Sequence, residues 1–133
     1  MKILSAILVG YISLALNASL SANIEHADSK YKISNNALQS LLMGLKSDNE
    51  GVVKSSIILA GNYKIMEAVE ALTEIIDSEL SFEIKTAAVY SLYQIQNDEA
   101  LRTLKSIAIN HKCPYLRQSS EVFLYEYIFN HPK

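Results

Sequence analysis

The sequence has few of the residues that make covalent or rigid links. It contains one cysteine and two prolines among its 133 residues. A single cysteine, Cys113, cannot form an internal disulfide, and this excludes the small folds that disulfides hold together. The domain must therefore be held by an apolar core. Half of the residues are apolar, well above the level at which chains stay disordered.

The sequence also lacks an excess of positive charge. Its 12 lysine and arginine residues stand against 14 aspartate and glutamate residues, for a formal net charge of −2. Nucleic-acid binders need a basic surface to contact phosphates, and proteins that bind anionic membrane surfaces use polybasic segments. We therefore expect no nucleic-acid partner and no polybasic contact with a membrane.

Residues 1–22 differ in composition from the rest of the chain. Lys2 precedes an uncharged, mostly apolar run over residues 3–16, and small residues follow at Ala18, Ser19, Ser21 and Ala22. This order is typical of a secretory signal peptide, and the apolar run is shorter than the roughly 20 residues of a membrane span. We expect cleavage near Ala22, a mature chain without a membrane span, and a periplasmic or secreted location. Retention of residues 1–22 as an uncleaved anchor is the alternative.

The rest of the chain contains a pattern that occurs three times. The three segments are residues 36–66, 67–98 and 99–131, preceded by a polar lead-in over residues 23–34. Their opening alanines lie 31 and 32 residues apart, at Ala37, Ala68 and Ala100. Apolar and basic positions recur at the same spacing, at Val53, Ile84 and Leu116 and at Lys54, Lys85 and Arg117. Such internal repetition indicates a repeat domain over residues 35–131.

Each segment is predicted to form two helices. In the first segment, the spacing i, i+3, i+4, i+7 places four leucines on one helical face: Leu38, Leu41, Leu42 and Leu45. The other helices carry predicted core positions at helical spacing, among them Val53, Ile57, Leu72, Ile76, Ile84, Leu92, Leu104, Leu116, Phe123 and Leu124. Breaks between helices are predicted at Gly51 and Gly61-Asn62, with Ser81 as a cap, Asn97-Asp98 at a helix start and Pro114 in the first turn of the last helix. Small residues such as Ser56 should let neighbouring helices approach closely. No run alternates with period two, so the predicted fold is all-α.

Paired helices at this period, with a basic residue just inside each second helix, resemble the bacterial HEAT repeats that are related to the phycobilisome-lyase repeats. The resemblance covers residues 35–131 and implies a short right-handed α-solenoid of three helical hairpins. The family has an acidic residue near the turn between the two helices. Asp48 and Glu79 stand near that position here, and His111 occupies the third. The resemblance therefore implies that turn acids pair with the basic residues of the second helices.

No set of residues has the pattern of an active site. His26, His111 and His131 lie in no nucleophile, zinc-protease or phosphate-loop motif. His111 and Cys113 could begin a metal site with His131, but they lack the ligand spacing of a full zinc shell. We predict no enzyme activity, no cofactor and no metal, with Cys113 at a helix start and the two later histidines in solvated loops.

The candidate binding site is a surface on the second helices, which line the concave side of many helical solenoids. Positions i, i+4 and i+8 of these helices form rows across the repeats, and seven of them are the predicted site: Lys54, Lys85, Arg117, Ile58, Val89, Tyr93 and Tyr125. Tyrosine and arginine concentrate at interface hot spots, so this set predicts a protein or peptide partner. There are two alternatives. The basic row could pair with turn acids, which is the favoured interpretation of that row, and the tyrosines could be partly buried.

The family resemblance and the lack of a catalytic pattern predict an exported protein-interaction module, a scaffold or adaptor in the cell envelope, monomeric when alone. The alternative is a small-ligand-binding, chromophore-binding or lyase-like repeat protein, since the related lyase repeats handle bilin chromophores. Export would separate this chain from chromophore targets in the cytoplasm, which makes the alternative weaker.

Overall fold

The computed structural model describes residues 33–132, which form six α-helices joined by short connections. The helices are α1 (Asn35–Leu45), α2 (Glu50–Asn62), α3 (Val69–Asp77), α4 (Phe82–Ile95), α5 (Asp98–Asn110) and α6 (Pro114–Asn130), with a 3-10 turn at Met66–Ala68. No strand occurs within residues 33–132, so the predicted all-α fold is confirmed. The predicted signal peptide and residues 23–32 of the lead-in lie outside the described residues.

Consecutive helices pack in pairs, α1 on α2, α3 on α4 and α5 on α6. The second helices of the pairs also pack on one another in chain order, α2 on α4 and α4 on α6. Contacts among the first helices, α1 with α3 and α3 with α5, are fewer. The second helices therefore form a layer of three neighbouring helices. None of the helices in residues 33–132 is both long and apolar enough to cross a membrane.

Side chains and main-chain geometry fix where the helices begin. Ser34, Asn49 and Asn97 each accept a hydrogen bond from a main-chain N–H in the first turn of α1, α2 and α5. Pro114 begins α6, as predicted. Ser81 directly precedes α4, as predicted for a cap, but its side chain accepts no hydrogen bond from the first turn of that helix.

The predicted breaks at Gly51 and Gly61 are wrong, because both glycines lie inside α2. Asn49 caps that helix before Gly51, and the helix continues one residue beyond Gly61. Gly61 is a point of close helix approach instead. A Cβ atom there would lie 3.1 Å from the Cα of Ser91 in α4. Gly44 of α1 similarly faces the hydroxyl of Ser56 in α2. This agrees with the prediction that a small residue at position 56 lets neighbouring helices approach closely.

The core lies where the apolar faces of the two helices of each pair meet. Most of the predicted core positions are buried, among them Leu41, Leu45, Val53, Ile57, Leu72, Ile76, Ile84, Leu92, Leu104 and Leu116. Phe123 and Leu124 of α6 are only partly buried. Since α6 is the last helix and packs on α4 and α5, one of its sides lacks a neighbouring helix among the described residues.

Candidate functional site

The basic row of the predicted site makes contacts within the chain. Lys54 of α2 forms an ion pair with Glu83 in the first turn of α4, so this contact bridges two neighbouring helix pairs. The hydrogen bond from Lys54 and its positive charge lower the pKa of the Glu83 carboxyl. The expected turn acids, Asp48 and Glu79, are therefore not the partners of Lys54, because the start of α4 brings Glu83 beside α2.

Arg117 of α6 contacts the turn that precedes its own helix. Its Nη1 donates hydrogen bonds to the carbonyl oxygens of His111, at 2.7 Å, and Lys112, at 3.2 Å. Lys85 is partly buried and forms no ion pair within residues 33–132. Intramolecular contacts thus account for Lys54 and Arg117, although neither pairs with a turn acid.

Val89 is wrong as a surface residue, because its side chain is 0% exposed. Val89 lies on α4, and Tyr93, one turn further along the same helix, packs against α6. The ring of Tyr93 stacks on that of Phe123, with centroids 5.0 Å apart and planes 15° apart. The side of α4 that carries Val89 and Tyr93 is therefore a contact between second helices rather than an open surface.

Ile58 of α2 and Tyr125 of α6 are exposed, as predicted. Val89, which was predicted to link them, is buried. Tyr125 is open because no helix of the described residues packs on the side of α6 that corresponds to the side of α4 covered by α6. The predicted rows consequently do not form one continuous binding surface.

A different face of the same three helices is open. Its central residues are Leu59, Tyr90 and Val122, which are 45%, 47% and 55% exposed. Leu59 and Tyr90 directly follow Ile58 and Val89, two residues of the site predicted from the sequence. One residue is a rotation of about 100° around a helix axis, so this small difference in position selects a different side of each helix.

Residues three, four or seven positions from these central residues share the same side of each helix. The set is Val52, Ser55 and Leu59 of α2 with Tyr63 directly after that helix, Glu83, Thr86, Tyr90 and Gln94 of α4, and Tyr115, Gln118, Val122 and Glu126 of α6. It is called the second-helix face. Ten of its members are exposed, and Thr86 and Gln94 are partly buried. Because α2, α4 and α6 pack side by side, their contributions are neighbours.

The second-helix face carries little charge for an exposed surface. Glu83 and Glu126 are its only acids, it holds no lysine or arginine, and Glu83 is paired with Lys54. The first helices carry more charge on their exposed sides. In and just before α3, four acidic residues are exposed: Glu67, Glu70, Glu74 and Asp77. Loss of charge together with enrichment in aromatic side chains distinguishes the centre of protein interfaces from other surfaces. The second-helix face is therefore the candidate binding surface of the described residues.

Four side chains form a connected cluster where α4 meets α6. Tyr90 and Tyr93 lie at i and i+3 on α4, and Phe123 and Glu126 lie at i and i+3 on α6. The ring centroid of Tyr90 is 5.6 Å from that of Phe123 and 6.1 Å from that of Tyr93. Burial raises the pKa of the Tyr93 phenol, and the neighbouring Glu126 carboxylate raises this pKa further.

His111, Cys113 and His131 make local contacts, and His26 lies outside the described residues. Cys113 immediately precedes α6, as predicted, and its N–H donates to Nδ1 of His111 at 3.0 Å. The predicted solvated position of His111 is wrong, because its side chain is only 6% exposed and its Nε2 faces Asp77 Oδ1 at 3.7 Å. His131 lies at the end of α6, stacked on Tyr127. Across residues 33–132, no three metal-binding side chains come together.

No protein-family model matches the sequence, and no curated protein matches it. The resemblance to HEAT repeats therefore stays a prediction. The features that bear on function are the second-helix face and the pattern of residues 1–22.

Proposed function

We propose that this chain is an exported protein-interaction module that binds a protein or peptide along the second-helix face. The observation that carries the proposal is the row of Leu59, Tyr90 and Val122, three large apolar residues about half exposed at equivalent positions of three neighbouring helices. Contiguous exposed apolar surface marks interaction sites more often than scattered single residues do. The proposed role is that of a scaffold or adaptor, which binds without catalysing a reaction.

The proposed architecture is a short right-handed α-solenoid of three HEAT-like hairpins, monomeric when alone. The spacing of 31 and 32 residues between the opening alanines and the packing of α2, α4 and α6 in chain order support it. In such a stack each helix of one layer contributes a strip to a shared surface. That arrangement suits a partner that crosses all three second helices.

The proposed location is the periplasm or the cell exterior. It is supported by the order of Lys2, an uncharged apolar run and small residues within residues 1–22. We expect the mature chain to begin near Asn23, and N-terminal sequencing of the exported protein tests this. An intact Met1 on an envelope-bound protein would favour the anchor interpretation.

Site-specific photo-cross-linking in the producing cells tests the binding face. A benzophenone amino acid replaces Tyr90 or Val122 on the second-helix face, and Glu70 or Arg102 on the first helices serves as the matched control position. We expect discrete adducts from positions 90 and 122 and none from positions 70 and 102. All four side chains are exposed, so the fold should tolerate the replacement.

A double variant, Leu59→Ser with Val122→Ser, provides a second arm. It should sharply reduce adduct formation from position 90 while the thermal melt stays nearly unchanged, because both side chains are about half exposed in the native chain. Adducts that form equally from all four positions, or only from the first helices, would show that the second-helix face is not the binding surface.

A further inference from the structure

One carboxylate of the second-helix face has no counter-ion in the described part of the chain. Lys54 pairs with Glu83, and no lysine or arginine of residues 33–132 forms an ion pair with Glu126. Glu126 is exposed at the α6 edge of a face that holds no lysine or arginine. Any positive charge that meets this carboxylate at the bound face must therefore come from the partner.

This carboxylate lies at the same contact between α4 and α6 as an exposed aromatic ring. Glu126 follows Phe123 by about one turn on α6, and the Phe123 ring stacks on that of Tyr93, at 5.0 Å between centroids. The ring of Tyr93 lies beside that of Tyr90, at 6.1 Å between centroids, and Tyr90 is 47% exposed. An open aromatic ring of α4 and a carboxylate of α6 without a counter-ion therefore lie at one contact between the two helices.

This combination suits a cationic side chain. A lysine or arginine within about 6 Å of a tyrosine ring centroid is attracted to the ring face, and a carboxylate accepts charge-assisted hydrogen bonds from the same group. We infer that Tyr90 and Glu126 together bind a lysine or arginine side chain of the peptide that docks on the second-helix face, an inference that rests on the proposed function of that face.

The chemistry of the partner follows from its two kinds of contact. Apolar side chains would cover Leu59, Tyr90 and Val122, and one basic residue would reach Glu126. An acidic residue at that position would be repelled by Glu126, and a neutral one would lose both attractions. The occupant is therefore an apolar peptide segment with a lysine or arginine at one end of its contact.

Selection from a phage-displayed library of random 12-residue peptides tests this chemistry. The native chain is the bait, and the Leu59→Ser, Val122→Ser double variant removes peptides that bind elsewhere. We expect the remaining peptides to be apolar and enriched in lysine or arginine at one position. Replacement of that basic residue by glutamine should weaken binding to the native chain about tenfold, as measured by fluorescence anisotropy.

Variants of the chain then identify which of its residues cause the preference for a basic peptide side chain. Glu126→Gln should bind the basic peptide and its glutamine version equally well. Glu121→Gln, which removes another exposed carboxylate of α6, should keep the preference of the native chain. Tyr90→Phe should also keep it, and Tyr90→Leu should reduce it, because leucine preserves apolar contact but has no aromatic ring.

The outcomes separate the inference from the proposed function. Selected peptides that need Leu59 and Val122 but show no basic preference would overturn the inference and support the binding face. An equal loss of preference in Glu121→Gln and Glu126→Gln would overturn the inference as well, since it would indicate a general effect of net charge. Failure to select any peptide that needs Leu59 and Val122 would contradict both.

Discussion

The hydroxyl of Ser91 in α4 donates a hydrogen bond to the carbonyl oxygen of Ile57 in α2, at 3.0 Å. Both residues are buried. A serine side chain is short, so this bond requires the backbones of two neighbouring second helices to approach closely. Gly61, one turn after Ile57, provides the room, because it has no Cβ to meet Ser91. The close contact between α2 and α4 thus depends on the absence of a side chain at Gly61.

Gly61→Ala should destabilise the domain by about 1–3 kcal/mol, the usual cost of overpacking a core. The added Cβ would lie 3.1 Å from the Cα of Ser91, and this atom cannot retreat unless α4 moves. Urea denaturation followed by circular dichroism measures the change. Gly51→Ala is the control in the same helix, because an added Cβ there would meet only a side-chain atom, Oδ1 of Asn49, at 3.1 Å. This side chain can shift without moving a helix, so the change in stability should stay within about 1 kcal/mol. Equal effects at both positions would contradict the close approach.

Leu72→Ala and Leu104→Ala should each cost about 2–5 kcal/mol of unfolding free energy, as buried leucines generally do. Both side chains are fully buried in the first helices of the second and third pairs. The same denaturation experiment measures the loss. Met43→Ala in α1 is the control, and it should cost little because Met43 is largely exposed. A small loss at Leu72 or Leu104 would mean that the helix pairs do not share a tightly packed core.

The helices and the core could be predicted because the apolar periodicity requires only that one side of each helix be buried. Leu72 and Leu104 are buried as that periodicity predicts. Glycine was ambiguous, since it is typical both of helix ends and of close helix contacts. Gly61 looked like an end and is a contact, and only the position of Ser91 on another helix distinguishes the two.

The binding face could not be predicted because each second helix has several kinds of neighbour. One side packs on its own first helix, other sides meet the adjacent second helices, and one side is open. Val89 and Tyr90 are both apolar enough to be buried or exposed. The fold buries valine and exposes tyrosine, so the periodicity that identified the helix did not identify its open side. The row Leu59, Tyr90 and Val122 was nevertheless visible at the repeat spacing, as a row without charge.

The ion pair of Lys54 with Glu83 should make stability depend on acid pH. Lys54 lowers the pKa of Glu83 in the folded state below its ordinary value of 4.5. The stabilising contribution of Glu83 is therefore fully present above its unfolded-state pKa and is lost as the pH falls through its folded-state pKa. Glu83→Gln should be less stable than the native chain at neutral pH, and the difference should shrink as the pH falls below 4.5.

Both partners of this pair are substantially exposed, so the effect should be small. Chemical denaturation at a series of acid pH values measures it. In a Lys54→Met background, Glu83→Gln should no longer produce a pH-dependent difference, because the charge that lowers the pKa of Glu83 is gone. A difference that persists in that background would assign the pH dependence to another partner of Glu83.

Tyr93 should titrate above its ordinary value of 10.0, because burial and the Glu126 carboxylate both raise its pKa. Glu126→Gln should lower this pKa without restoring the ordinary value, since the burial remains. Carbon-13 NMR of labelled tyrosine rings from about pH 8 to about pH 12 measures the titration, and Tyr93→Phe assigns the signal. Tyr93 also contributes stability that is fully present below its unfolded-state pKa and is lost as the pH rises through the raised folded-state pKa, a dependence that Tyr93→Phe should lack. An unchanged Tyr93 titration in Glu126→Gln would show that the Glu126 carboxylate does not act on the aromatic cluster. That result would contradict the proposed site for a cationic side chain.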